Sequence, residues 1–248
     1  VPAISDPSTV GTLFTWLKAD AGTWQLSTLT TPAVADGDPV GGWTDQTVNG
    51  HSPVQATATK RGTLKLNMRN GLPVIRFDGV TQFLSKNFTG VFPFTRFIAG
   101  YLRADPVINV KDTIVDGMSQ CALIVAPGGG SYPYDTPFSN LYQGHSTMYP
   151  GVVLRDGWGV VAMNFQQGQA PGGLYMQWPV LRYNGVPLST YYIWCGTNTP
   201  LGICIATYNA GTRCTALDVG EILEYNGLLS LTDTMAVEGY LRNRWATP

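Results

Sequence analysis

The chain has 248 residues, of which 44% are hydrophobic and only 12% charged, with 29 glycines, 17 prolines and a formal net charge of -1. This composition argues against a disordered chain, a collagen or a small disulfide scaffold. With no basic run longer than Lys60 and Arg61, and no apolar run near the roughly 20 residues of a membrane helix, neither nucleic-acid binding nor membrane insertion is expected.

The chain opens VPAISDPSTV, with neither an initiator Met nor the basic-then-apolar pattern of a signal peptide, which suggests processing or excision from a longer protein. Short β-branched and aromatic segments then recur between Gly, Pro, Asn and Asp clusters: LFTWLKAD, LPVIRF, TRFIAGYLR, KDTIV, CALIV, GVVLRD, WGVVAMNF, GLYMQW, YYIW and GICIATY. That rhythm predicts an all-β, antiparallel protein of two stacked sheets. Simple alternation puts Phe14 and Trp16 on one face of the first strand and Thr15 on the other. Two Tyr-Asn-Gly triplets, at 183 to 185 and 225 to 227, place turn formers at strand ends.

One helix is predicted, at the C-terminus. SLTDTMAVEGYLRNRWA carries Ser230 as N-cap with Asp233 three residues on, and Val237, Tyr240, Leu241, Arg244 and Trp245 recur at helical spacing. Glu238 and Arg242 form a favourable i, i+4 pair. No linker or internal repeat is evident, so residues 1–248 are expected to form a single domain.

The four cysteines lack metal-site spacing. If IWC at 193 to 195 and ICI at 203 to 205 are the arms of a hairpin, Cys195 and Cys204 face each other and a disulfide is expected; the alternative is four small core residues. ADGD at 35 to 38, Asp45 and FDG at 77 to 79 supply oxygen ligands for calcium, or are plain turn formers, and no other cofactor is implied.

Glu221 and Glu224 stand three apart in a predicted buried strand, so they point to opposite sides and make no catalytic pair. Alternation groups Glu221 with Val219, Leu223 and Tyr225, and Glu224 with Ile222. Glu221 is expected to be a structural carboxylate, because a buried carboxylate needs partners. His51 follows an Asn-Gly turn and reads as a solvated loop residue. No catalytic carboxylate pair or triad is present, which argues against an enzyme.

Residues 127 to 151 are too long and aromatic for an ordinary connection. Tyr132, Tyr134, Phe138, Tyr142 and Tyr149, with His145, would stack on sugar rings or anchor a protein interface, or else cover a sandwich edge. A second aromatic loop, 166 to 180, adds Tyr175 and Trp178.

The strand, Tyr-Asn turn and capped helix in VGEILEYNGLLSLTDTMAVEGYLRNRW resemble the C-terminal signature of laminin-G-like, concanavalin A-like jelly-roll domains of phage and bacterial surface proteins. FTWLKADAG at 14 to 22, GGWTDQTVNGHSPVQAT and NGLPVIRFDGVTQFLS resemble the family's opening segments. The resemblance covers about the first 90 and last 35 residues. It implies a two-sheet jelly roll with a short C-terminal helix. It further implies a non-enzymatic attachment or virion module on an extracellular or virion surface, with a glycan or protein partner or a homo-oligomeric assembly. A stand-alone lectin-like module is the alternative, and a polysaccharide-degrading enzyme the less favoured one.

Overall fold

In the computed structural model, which describes residues 4–103, 112–118, 121–126, 138–143, 146–150, 154, 157–165, 181–188, 192–193, 199–208, 211 and 213–248, the segment ALDVGEILEYN forms the 11-residue strand Ala216–Asn226. Its side chains are buried on both faces up to Tyr225, because a sheet lies across one face and a helix across the other. This strand is the hub of the larger sheet. Phe94–Leu102 runs antiparallel along one edge, and the other edge is shared: Leu72–Asp78 pairs with residues 216–219 and Thr12–Lys18 with residues 221–226. Gly159–Phe165 and the hairpin Leu181–Tyr183 with Val186–Pro187 extend the sheet on one side, Gly62–Arg69 and Pro39–Val40 on the other. The hairpin turns on Asn184 and Gly185, both at positive φ, which is the conformation that favours Asn-Gly.

The second sheet runs in the order Tyr192–Ile193, Ser146–Pro150, Phe138–Gln143, Cys121–Ala126, Asp112–Asp116, Gly202–Ile205, Leu84–Asn87, and its pairings are antiparallel too. Leu84, Ile114, Val115, Ile203 and Ile205 from this sheet share one apolar cluster with Ile75, Ile98, Leu102, Val161, Leu217, Val219 and Ile222 from the larger one. The architecture is therefore an all-β, antiparallel sandwich.

The single α-helix among the described residues, Leu231–Trp245, covers the outer face of the larger sheet. Ser230 caps it as the sequence indicates, its hydroxyl accepting from the Asp233 N–H at 3.1 Å. Val237, Leu241 and Trp245 pack on Val74, Phe97, Ala99, Val160, Ala162, Leu223 and Tyr225. The expected Glu238 pairing with Arg242 is replaced by one across elements. Glu238 is buried, and both its oxygens lie 3.0 Å from Nε of Arg182 on a neighbouring strand.

Two irregularities defeat simple alternation. The register against Phe94–Leu102 slips between Val219 and Glu221, so Gly220 is an extra residue. Val219 consequently faces the inter-sheet core with Leu217 and Ile222, whereas Glu221 shares the helix side with Leu223 and Tyr225. Gly220 is required there, since a Cβ would strike the Trp245 ring. A second slip at Phe14 separates it from Trp16: Leu13 and Trp16 pack on the helix side, while Phe14 meets His51 and Phe88. His51 is not a solvated loop residue. It is only 8% exposed, stacked on Phe88 with centroids 3.9 Å apart, its Nδ1 3.0 Å from Thr15 Oγ1.

The cysteine hairpin is also corrected. Tyr192–Ile193 pairs with Ser146–Pro150 and Gly202–Ile205 with Leu84–Asn87 and Asp112–Asp116, so four strands separate the two segments. The geometric premise for a Cys195 to Cys204 bridge is gone; Cys195 itself lies outside the described residues.

Glu224 and Arg96, directly opposite in the register, form an ion pair with neither side chain exposed to solvent. Arg96 Nε and Nη2 donate to Glu224 Oε2 at 3.0 and 2.9 Å, and the guanidinium lies over the stacked rings of Phe94 and Phe165. Oε1 has no hydrogen-bond partner among the described residues. Removing one member of such a pair strands the other charge, while replacing both with apolar residues does not. Arg96→Ala is expected to lower unfolding free energy by about 3–5 kcal/mol, and Arg96→Met with Glu224→Leu to recover most of that loss in urea titrations.

Candidate functional site

Glu221 is fully buried, and four donors converge on it. Trp16 Nε1 and the Tyr240 hydroxyl donate to Oε1 at 2.7 and 3.0 Å; Arg244 Nε and Trp245 Nε1 donate to Oε2 at 2.9 and 3.0 Å. The first strand supplies one donor and the last turns of the helix supply three, at positions 240, 244 and 245 of one helical face. A carboxylate offers about four lone-pair sites, and all are taken. Arg244 continues the chain of contacts through Nη2 to Asp20, and Trp158 stacks on Trp245 at 5.6 Å. Glu224 lies on the opposite side of the sheet, so the two carboxylates do not face a common space.

Beside this network is an open groove of about 380 Å³, lined by Ile4, Asn70, Leu72, Tyr240, Asn243 and Arg244. The N-terminal segment, the turn that joins Gly62–Arg69 to Leu72–Asp78, and the helix each contribute a wall. Asn70 sits at φ 50° in that turn and donates from Nδ2 to the Arg244 carbonyl at 2.8 Å, which fixes the turn against the helix end.

The residues expected to bind a ligand are distributed differently. Tyr132, Tyr134, His145, Tyr175 and Trp178 lie outside the described residues. Phe138 and Tyr142 fall in Phe138–Gln143 and Tyr149 in Ser146–Pro150, two strands paired with Ser139 opposite Tyr149 and Tyr142 opposite Ser146. The span 127 to 151 is thus partly a hairpin of the second sheet rather than one long connection.

The carboxylates considered for calcium are each engaged by protein donors. Asp36 binds Lys65 Nζ at 2.6 Å and the Leu66 N–H; Asp38 accepts from Val34 and Ala35 N–H; Asp45 accepts from the N–H of Trp16, Thr47 and His51. Burial works against ionising Asp78, but the N–H groups of Gln82, Val80 and Thr81 outweigh it and hold its carboxyl below the usual range. No group of three or more His, Cys, Asp or Glu side chains converges among the described residues.

No family model matches the chain, and no curated protein matches it. Among solved structures it is similar to HCR/D carrying a tryptophan-to-alanine substitution, at 12% identity and a TM-score of 0.58, over 96% of this chain and 54% of that one. It is also similar to an arabinofuranosidase complexed with arabinofuranosyl-alpha-1,2-xylobiose, at 13% identity and a TM-score of 0.51, over 82% of this chain and 50% of that one. The likeness is one of fold. The chain spans about half the length of each of these two proteins.

The missed features have a common origin. Arg96 shares the parity of Phe94 and Ile98 in FTRFIAG, which marked it as inward-facing, but its partner is 128 residues away. The groove joins three segments distant in sequence.

Burial raises the Tyr240 phenol well above its ordinary range, and the negative charge of Glu221 adds to this. Because the folded state favours the protonated phenol, its contribution is complete below pH of about 10, the unfolded value, and is lost as pH climbs above it. Tyr240→Phe is expected to cost about 1–2 kcal/mol at pH 7 and to flatten the fall in urea midpoint between roughly pH 10 and 11. Glu221→Gln, which turns an NH₂ group toward two donors, is expected to cost about 3 kcal/mol in the same titration at pH 7.

Proposed function

We propose that this sandwich is a non-enzymatic carbohydrate-binding module of the laminin-G-like, concanavalin A-like jelly-roll type, attaching a larger assembly to a glycan-bearing surface. The observation that supports the reading is the fold, which is similar to about half of each of two longer proteins, one of them solved in complex with arabinofuranosyl-alpha-1,2-xylobiose. Fold alone does not specify function, so the site chemistry has to agree with it. It agrees in one respect: the two central carboxylates, Glu221 and Glu224, are each engaged by structural partners on opposite sides of the sheet, an arrangement unsuited to flanking a sugar bond.

For stacking on sugar rings, which this reading calls for, the sequence offers the aromatic residues Tyr132, Tyr134, Phe138, Tyr142, Tyr149, Tyr175 and Trp178, with His145. The setting is an extracellular or virion surface, and the virion role rests on the sequence resemblance alone. A second reading, polysaccharide cleavage, is favoured by the arabinofuranosidase likeness.

A glycan array with the purified domain, scanned for both retention and shortened products, separates these. Retention without cleavage, reduced at least tenfold by the triple substitution Tyr132→Ala, Tyr134→Ala and Tyr142→Ala, is the expected result. Shortened products would establish the enzymatic reading, and neither retention nor products would leave the glycan-binding reading without support.

A further inference from the structure

We infer that the groove between the helix, the Asn70 turn and the N-terminal segment is a binding site for a neutral oligosaccharide, built on residues other than those of the aromatic segments 127 to 151 and 166 to 180. The inference rests on the carbohydrate-binding reading and adds a location and a ligand charge to it. Its volume of about 380 Å³ is at the small end of the range for small-molecule sites.

The lining divides into an apolar part and a polar part. Ile4 and Leu72 give aliphatic surface, and the Tyr240 ring stands beside them. Tyr240 has its hydroxyl tied to Glu221, so its orientation is fixed before any ligand arrives. Around these lie hydrogen-bonding groups with capacity left over. Among the described residues the Asn243 side-chain amide has no hydrogen-bond partner, Asn70 uses only Nδ2 and keeps its carbonyl oxygen, and Arg244 keeps Nη1 after committing Nε to Glu221 and Nη2 to Asp20. Donors and acceptors from the turn and the helix are thus mixed with apolar surface around one groove, which is the complement of a sugar, whose hydroxyls both donate and accept while its C–H face is apolar.

The charge decides between sugar classes. Among the described residues Arg244 is the one charged residue lining the groove, and it is already paired with two carboxylates, Glu221 at 2.9 Å and Asp20. Arg69, next to Asn70, is engaged by the Trp245 and Ala246 carbonyls at the helix C-terminus, so neither arginine is free to recruit a carboxylate or sulfate. A neutral ligand meets no such requirement, because it draws on hydrogen bonds alone.

Two of the three walls are fastened to each other. The Asn70 turn is fastened to the helix end by Asn70 to the Arg244 carbonyl and by Arg69 Nε to the Trp245 carbonyl at 2.9 Å. Ligand binding here would therefore order few additional groups, which limits its entropic cost.

The test uses the same array, with neutral and with sialylated or sulfated glycans, and two substitutions at groove positions. Asn243→Trp fills the groove from an exposed helix position, and Asn70→Gly removes the amide while suiting the left-handed backbone. Each is compared with the Tyr132, Tyr134 and Tyr142 triple variant, and each is first checked for an unchanged circular dichroism spectrum and a thermal midpoint within a few degrees. The expected result is retention of a neutral glycan, other than those lost by the triple variant, that falls at least tenfold with Asn243→Trp and is unchanged in the triple variant. In an NMR titration with that glycan, the Asn70 and Asn243 side-chain amide resonances should shift. Neutral retention unaffected by both groove substitutions, or retention of anionic glycans only, overturns the inference while leaving the carbohydrate-binding reading in place. No retention of any glycan removes both.

Discussion

The carboxylate of Glu221 determines how the helix meets the sandwich. A buried carboxylate is costly unless its oxygens are satisfied, and this one draws its donors from two elements that would otherwise touch only through apolar contacts. Apolar packing of Val237 and Leu241 holds the helix on the sheet but leaves its rotation and axial position weakly defined. The indole and guanidinium donors at Trp245 and Arg244 remove that freedom, because each must reach a specific oxygen. The first strand is fixed through the same group, since Trp16 donates to Oε1 from the other side.

The bulge at Gly220 follows from this arrangement. For Trp245 to reach Glu221 its ring must pass over the backbone of the central strand, and only a residue without Cβ leaves room. The added residue moves Glu221 to the helix side and leaves Val219 in the inter-sheet core. It also marks the point where the strand's neighbour changes from Leu72–Asp78 to Thr12–Lys18. One local deviation therefore sets the side-chain faces, the strand pairing and the helix position together.

Much of the fold was legible in the sequence, since strand rhythm, Asn-Gly turns and the Ser230 cap are local signals. The all-β sandwich and its C-terminal helix came from those. Facing was legible only where alternation was unbroken. At Phe14 and Gly220 an extra residue reversed it, and nothing in the local pattern of LFTWLKAD announces a bulge. Partners were less legible again. Glu238 and Arg242 have ideal spacing for a helix pair, yet Glu238 turns toward Arg182, 56 residues away, because the buried side of the helix offers it no water. The groove could not be read at all, since its six residues belong to three segments whose proximity only the folded chain creates.

The scarcity of charge gives these ion pairs their significance. In a chain with 12% charged residues, Glu221, Glu224 and Glu238 are all buried against arginines, and Asp218 lies buried between Arg76 and Arg103. Arginine suits these places because its guanidinium is planar, weakly hydrated and able to lie on aromatic rings, as Arg96 does on Phe94 and Phe165. Buried ion pairs add little net stability, so their value here lies in specificity of arrangement. Each pair joins segments distant in sequence, and a shift of one strand or of the helix would pull the paired charges apart. The result is a sandwich whose faces are held in register by polar contacts, and whose outer groove inherits fixed walls from the same contacts.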